Sequence, residues 1–194
     1  MTPDLQLCEP EDPDVLEDLD GDEWLAERKL DGVRLVADHG TLRTRSGNDV
    51  TASFPEIEAP DAHILDGEVV TTDFRFETVL RRVQTEDRFT VDLLAERHPA
   101  RFVAFDALTI NGEDVRERPL TERRDLLGPS IPGGCGIVEI TAHDGLTALW
   151  ERAQTEEWEG IIIKRRESAY TGGRQDAWRK LKLWQEAEFP ILDY

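Results

Sequence analysis

Glu27-Arg28-Lys29-Leu30-Asp31-Gly32-Val33-Arg34 is the stretch on which the reading of this chain turns. Residues 24–29 read as a strand, on which Glu27 and Lys29 share one face. Asp31-Gly32 is a turn signal, and residues 33–37 read as the returning strand of a hairpin. Such a turn can hold Lys29 near the mouth of a cleft. The lysine matters because lysine is rare here. Of 23 basic residues in 194, only Lys29, Lys164, Lys180 and Lys182 are lysine. Arginine stays charged at any ordinary pH, whereas a lysine amine can lose its proton and attack.

Outward from this stretch, a second hairpin turns at His39-Gly40 and runs to Arg45, and Ser46-Gly47-Asn48-Asp49 is a further turn. Ile64-Leu65 and Val69-Val70 bracket Asp66-Gly67-Glu68, a strand with a local kink or tight turn. Phe76, Val79, Leu80 and Val83 have helical spacing, and Leu93-Leu94 mark a second helix that ends before Pro99. Residues 101–108 read as a strand turned by Asn111-Gly112; residues 119–127 and 144–156 read as helices. Further strands are expected at 137–140, 160–164, 178–183 and 188–192. Strands outnumber helices and alternate with them irregularly. The expected class is α+β, with two antiparallel or mixed sheets and flanking helices. Residues 1–21, rich in Asp, Glu and Pro, read as a flexible acidic leader, and residues 22–194 as one domain.

Composition narrows the function. Hydrophobic residues make up 39% of the chain, with five Trp and seven Phe, enough for a packed core rather than a disordered acidic protein. There are 42 acidic residues, and the formal net charge is -19. A surface of that sign repels nucleic acid on average. Low lysine with excess acid points to a high-salt cytoplasm, where screening blunts self-repulsion. Locally the balance reverses, because Lys164, Arg165, Arg166, Arg174, Arg179, Lys180 and Lys182 face only Glu167 and Asp176 within that segment. Cys8 and Cys135 lie far apart, and the four His are scattered, so neither set indicates zinc. No apolar stretch approaches a membrane span and no signal peptide opens the chain, so a cytoplasmic protein with no membrane partner is expected. Gly-x-Gly-x-x-Gly and Gly-x4-Gly-Lys-Ser/Thr loops are absent.

Lys29-x-Asp31-Gly32-x-Arg34 resembles the first motif of the covalent nucleotidyltransferases: DNA ligases, RNA ligases and mRNA capping enzymes. Further matches follow in the family's order. They are Arg45-Ser46-Gly47-Asn48, Leu65-Asp66-Gly67-Glu68, Phe105-Asp106-Ala107-Leu108, Glu159-Gly160-Ile161-Ile162-Ile163-Lys164 and Trp178-Arg179-Lys180-Leu181-Lys182. Tyr170-Thr171-Gly172-Gly173-Arg174 is similar to the approach to the last motif in ATP-dependent DNA ligases. Together they span residues 27–182, about four fifths of the chain.

The resemblance implies an ATP-grasp-like nucleotidyltransferase domain around a nucleotide cleft. It implies that Lys29 attacks the α-phosphorus of ATP, becomes lysyl-AMP and passes AMP to a DNA 5′-phosphate for nick sealing in replication, repair or recombination. Lys180 and Lys182, two apart on a strand, would point into the cleft, favour the neutral Lys29 amine and offset charge on the phosphate. Glu27 would meet the adenine edge and Phe105 would stack on the base. Arg34 and Arg45 would contact ribose, phosphate or DNA, and Lys164 would approach the nucleotide. Glu68 and Glu159 would hold Mg2+ or Mn2+. Nicked or broken DNA is the implied partner. Only twelve residues follow Lys182, too few for the OB-fold of full ligases, so a separate OB-fold or DNA-binding protein is a second expected partner. The alternatives left open are an RNA ligase-like nucleotidyltransferase and a non-catalytic accessory protein that binds nucleotide or DNA ends.

Overall fold

The computed structural model describes residues 3–131, 135–138 and 145–183. Two sheets face one another. The first has the order β1 (Gln6–Pro10), β10 (Gly173–Lys182), β9 (Gly160–Arg165), β2 (Trp24–Arg28). β1 runs parallel to β10, and the other pairs are antiparallel. The second sheet has the order β4 (Thr41–Thr44), β3 (Val33–Asp38), β5 (His63–Thr71), β6 (Ala100–Ile110), β7 (Glu113–Asp114). A short β8 (Cys135–Ile137) pairs parallel to β6. Helices α1 (Phe76–Gln84), α2 (Arg88–Arg97), α3 (Leu120–Asp125) and α4 (Leu146–Thr155) complete an α+β fold.

The period of two along each strand separates core from cleft. On the first sheet Trp24, Ala26, Ile161, Ile163 and Leu181 turn one way and pack on Leu146 and Ala153 of α4 and on Trp158. The alternate positions turn toward the second sheet. Behind that sheet, Leu35, Leu65, Val69 and Phe102 form a core with Phe54 and with Val79 of α1. Each large apolar side chain buried there contributes roughly 1.5–3 kcal/mol.

Three expectations change. Asp31-Gly32 does not close a hairpin, because β2 pairs with β9 while β3 pairs with β4 and β5. The turn carries the chain from one sheet to the other. A Cβ on Gly32 would lie 2.2 Å from the Val69 carbonyl oxygen, so only glycine allows the crossing. A turn dipeptide reports the local backbone and not the sheet each flank joins. Second, residues expected in a loose leader form β1, and Leu5 and Leu16 are buried. Acidic composition masked these few apolar positions, and their parallel partner lies about 170 residues away in sequence. Third, β8 ends at Ile137, where a strand over 137–140 was expected; residues 139–140 lie outside the described residues, as does the expected strand at 188–192. Asp66-Gly67 sits within a continuous β5 at a shift of register, a kink of the expected kind.

Candidate active site

Strand register places the motif side chains in rows across the first sheet. Leu25, Lys164 and Trp178 form one row, and Glu27, Ile162 and Lys180 the next. The third row joins Lys29, whose backbone N–H donates to Gly160 (3.0 Å), with Gly160 and Lys182. Gly160 has φ +143°, and a Cβ there would lie 2.0 Å from the Leu181 carbonyl oxygen. The close packing of these strands thus requires glycine next to Glu159.

Between the sheets lies a cavity of about 290 Å³. Of the residues singled out from sequence, Glu27, Lys29, Arg34, Arg45, Glu68, Phe105, Lys164 and Lys180 line it. Glu159 and Lys182 stand beside it. Lys29 is ion-paired with Glu159 Oε2, and Lys182 Nζ reaches Glu159 Oε1 at 2.9 Å. Burial alone would raise the Glu159 carboxyl, but the hydrogen bonds from Lys29 and Lys182 outweigh it and hold the group below the usual carboxylate range. The carboxylate therefore bridges the two lysines, Lys29 and Lys182.

Glu68 behaves oppositely. Burial pushes it up to about 7, against the pull of Lys29, the Gly32 N–H and Arg34. That N–H donates to Glu68 Oε1 at 3.1 Å, tying the sheet-crossing turn to β5. At the back, Glu27 is buried between Arg124 Nη1 (2.8 Å) and Lys164. The Lys164 ammonium meets Glu27 as an ion pair rather than as an aligned hydrogen bond. It also lies 4.0 Å from the Trp178 ring centroid and 4.5 Å from that of Phe105. The Phe105 and Trp178 rings meet edge to face with centroids 6.0 Å apart. Arg34 forks onto Asp66 (3.0 and 2.5 Å), whose Oδ2 also accepts from Tyr170 (2.7 Å). Burial opposes the charge of Arg34, yet Asp66 holds its pKa above the ordinary arginine value.

Reading by sequence missed several contributors. Leu7 and Cys8 of β1 form part of the cavity wall. Arg124 of α3 clamps Glu27, and Arg28 lines the rim. Leu7, Cys8 and Arg124 arrive from elements distant in sequence from the motifs, whereas Arg28 sits between Glu27 and Lys29 with no motif role to mark it. Spare arginines in a lysine-poor helix are the one hint for Arg124.

Glu68 and Glu159 fit a hard divalent cation. Both are oxygen donors near Lys29, and the charge of Glu159 adds to the rise of the Glu68 pKa. No cluster of three or more His, Cys, Asp or Glu side chains arranged for a metal is present among the described residues. Two carboxylates would leave the remaining positions to waters and phosphate oxygens, as magnesium prefers.

A lysine just past the end of β2, a strand bearing paired lysines and two carboxylates around a cavity between two sheets define a nucleotidyltransferase-type adenylation fold. The model of the ATP-dependent DNA ligase domain matches residues 6–182, and the chain belongs to that family. It is 36% identical over 185 residues to the multifunctional non-homologous end joining DNA repair protein LigD of Mycobacterium tuberculosis, covering 89% of this chain and 23% of that protein. The SPbeta prophage-derived DNA ligase-like protein LigB of Bacillus subtilis is 29% identical, over 93% of this chain and 68% of that one. Mycobacterial DNA ligase D complexed with ATP and MES superposes with a TM-score of 0.70 at 30% identity, covering 93% of this chain and 60% of that one. The chain thus spans about a quarter of the LigD protein it matches.

Proposed function

We propose that this chain carries out the adenylyl transfer of ATP-dependent DNA ligation. The Lys29 nitrogen attacks the α-phosphorus of ATP. A nitrogen–phosphorus bond forms, the bond to the bridging oxygen breaks, and pyrophosphate leaves with those electrons. AMP then passes to the 5′-phosphate of nicked or broken DNA, and a 3′-hydroxyl displaces it. The names of the relatives favour DNA over RNA as the acceptor. A separate OB-fold or DNA-binding protein would supply contacts to DNA, and the cytoplasm is the proposed site of action. No helix among the described residues is long and apolar enough to cross a membrane.

The supporting observation is the row Lys29–Gly160–Lys182 with Glu159 joining both amines at the cavity rim. Glu159 orients the nucleophilic nitrogen. Its depressed pKa makes it a weak base, so the amine's proton leaves through the partly open mouth to water. ATP binding must loosen this ion pair, and Lys182, freed from Glu159, then meets the α-phosphate. Phe105 offers a face to the base, and Arg34 and Arg45 lie on the cavity wall for ribose or phosphate. Magnesium or manganese held by Glu68 and Glu159 would offset charge on the phosphates when bound.

The test uses ATP labelled at the α-phosphate with magnesium, and the label retained on denatured protein is counted. Label is expected on the wild-type chain and absent from Lys29→Ala. Labelling of Lys29→Ala equal to wild type would refute the assignment, and ATP binding without any adduct on the wild type would favour the accessory reading. Nicked DNA and nicked RNA added to the charged protein separate the two acceptors.

A further inference from the structure

A second cleft, of about 440 Å³, adjoins the nucleotide cavity and shares Arg28, Leu30 and Val138 with it. Three guanidinium groups line it, from Arg28 of β2, Arg101 of β6 and Arg152 of α4. Arg28 is held between two rings, 4.5 Å from the Phe74 centroid and 4.6 Å from that of Trp158. Its Nε is buried and has no hydrogen-bond partner among the described residues. Arg101 lies 6.0 Å from the Phe74 ring. Arg152 lies 5.0 Å from the Trp158 ring and donates from Nε to Glu156 Oε1 at 2.7 Å. Burial lowers the Arg28 pKa first; Glu156 opposes this, while Arg152 and Arg101 add to it.

Like charges converging on one cleft repel each other, and the repulsion is felt most where water is scarce. In a chain of net charge -19, three arginines gathered in one cleft mark a place for an anion. The arginine fork suits phosphate oxygens, and the two rings fix its plane.

We propose that the Arg28–Arg101–Arg152 cleft is a phosphate-binding site, distinct from the Lys29 cavity, that takes a phosphodiester of the nucleic acid backbone or a polyphosphate chain.

Binding is measured without ATP, so the outcome does not depend on whether lysyl-AMP forms. The probes are a fluorescent nicked duplex bearing a 5′-phosphate, followed by anisotropy, and inorganic tripolyphosphate, followed by calorimetry. Arg101 is exposed, so its replacement leaves the core intact. Arg101→Ala is expected to weaken binding about tenfold and to reduce the salt slope for the duplex by about one. Arg101→Lys should restore the slope but only part of the affinity, because the fork is lost. Arg88→Ala, on the exposed face of α2, controls for net charge. A loss for the duplex identifies the nucleic acid backbone as the occupant, and a loss for tripolyphosphate alone identifies a polyphosphate chain. Equal behaviour of Arg101→Ala and Arg88→Ala with both probes would overturn the site.

Discussion

Behind the cavity, Asp106 of β6 and Arg123 of α3 form a doubly bonded pair (2.7 and 2.8 Å), and both side chains are 0% exposed. At its mouth, the side chains of Lys29, Glu159 and Lys182 are 19%, 26% and 40% exposed. The chemistry is the same carboxylate-to-cation contact, but its consequence differs with depth. Arg123 also donates to the carbonyl oxygens of Arg118 (2.6 Å) and Ser168 (2.7 Å), so most of its fork is occupied inside the protein. Such a pair is a brace joining α3, β6 and the loop after β9. The outer trio keeps water and space on one side, so its partners can be exchanged for phosphate. Burial decides which ion pair holds the fold and which stays available for chemistry.

The contrast can be broken first at the brace. Removing one member of a buried pair strands the other without water. Arg123→Ala should therefore destabilise the domain by about 3–5 kcal/mol, read from urea unfolding. A midpoint equal to wild type would mean that the inner pair is as dispensable as the outer one.

Glu68 sharpens the comparison, since it is a partly buried acid that forms no ion pair among the described residues. Its carboxyl lies near 7 when folded, against an ordinary 4.5. A raised folded-state pKa means that the neutral form favours folding. This contribution is complete below the unfolded value and is lost as pH rises through 7. At about pH 8 the ionised group then costs on the order of 3 kcal/mol. Glu68→Gln should raise Tm at that pH and much less near pH 5, with loss of adenylylation. An unchanged or lower Tm at the higher pH would show that Glu68 is already well solvated or compensated.

The smallest stability effect is expected at Lys180, which lines the cavity and forms no ion pair among the described residues. Lys180→Ala should change unfolding free energy by no more than about 0.5 kcal/mol, yet reduce formation of the covalent adduct about 100-fold if one phosphate contact is lost at the transition state. A large drop in stability would move Lys180 from the working group to the bracing group.

Much of this was legible in order of sequence. The period of two in β2, β9 and β10 already put Glu27 with Lys29 and Lys180 with Lys182 on common faces. Helical spacing located α1 and α4 to within a few residues. What local pattern could not provide was partnership. β1 was hidden by its acidic neighbours, and Asp31-Gly32 looked like a hairpin although its flanks belong to different sheets. Arg124 had only the hint of spare arginines in α3, and the arginine-lined cleft had no signal, because its members come from separate elements.

By itself the sequence determined which residue types could do chemistry and which face of each strand would carry them, since side-chain period and amine reactivity are local properties. Only the tertiary structure decided which acid meets which base, and how deeply. Those outcomes depend on strand register and on the water left around each charge, which no short stretch of chain encodes.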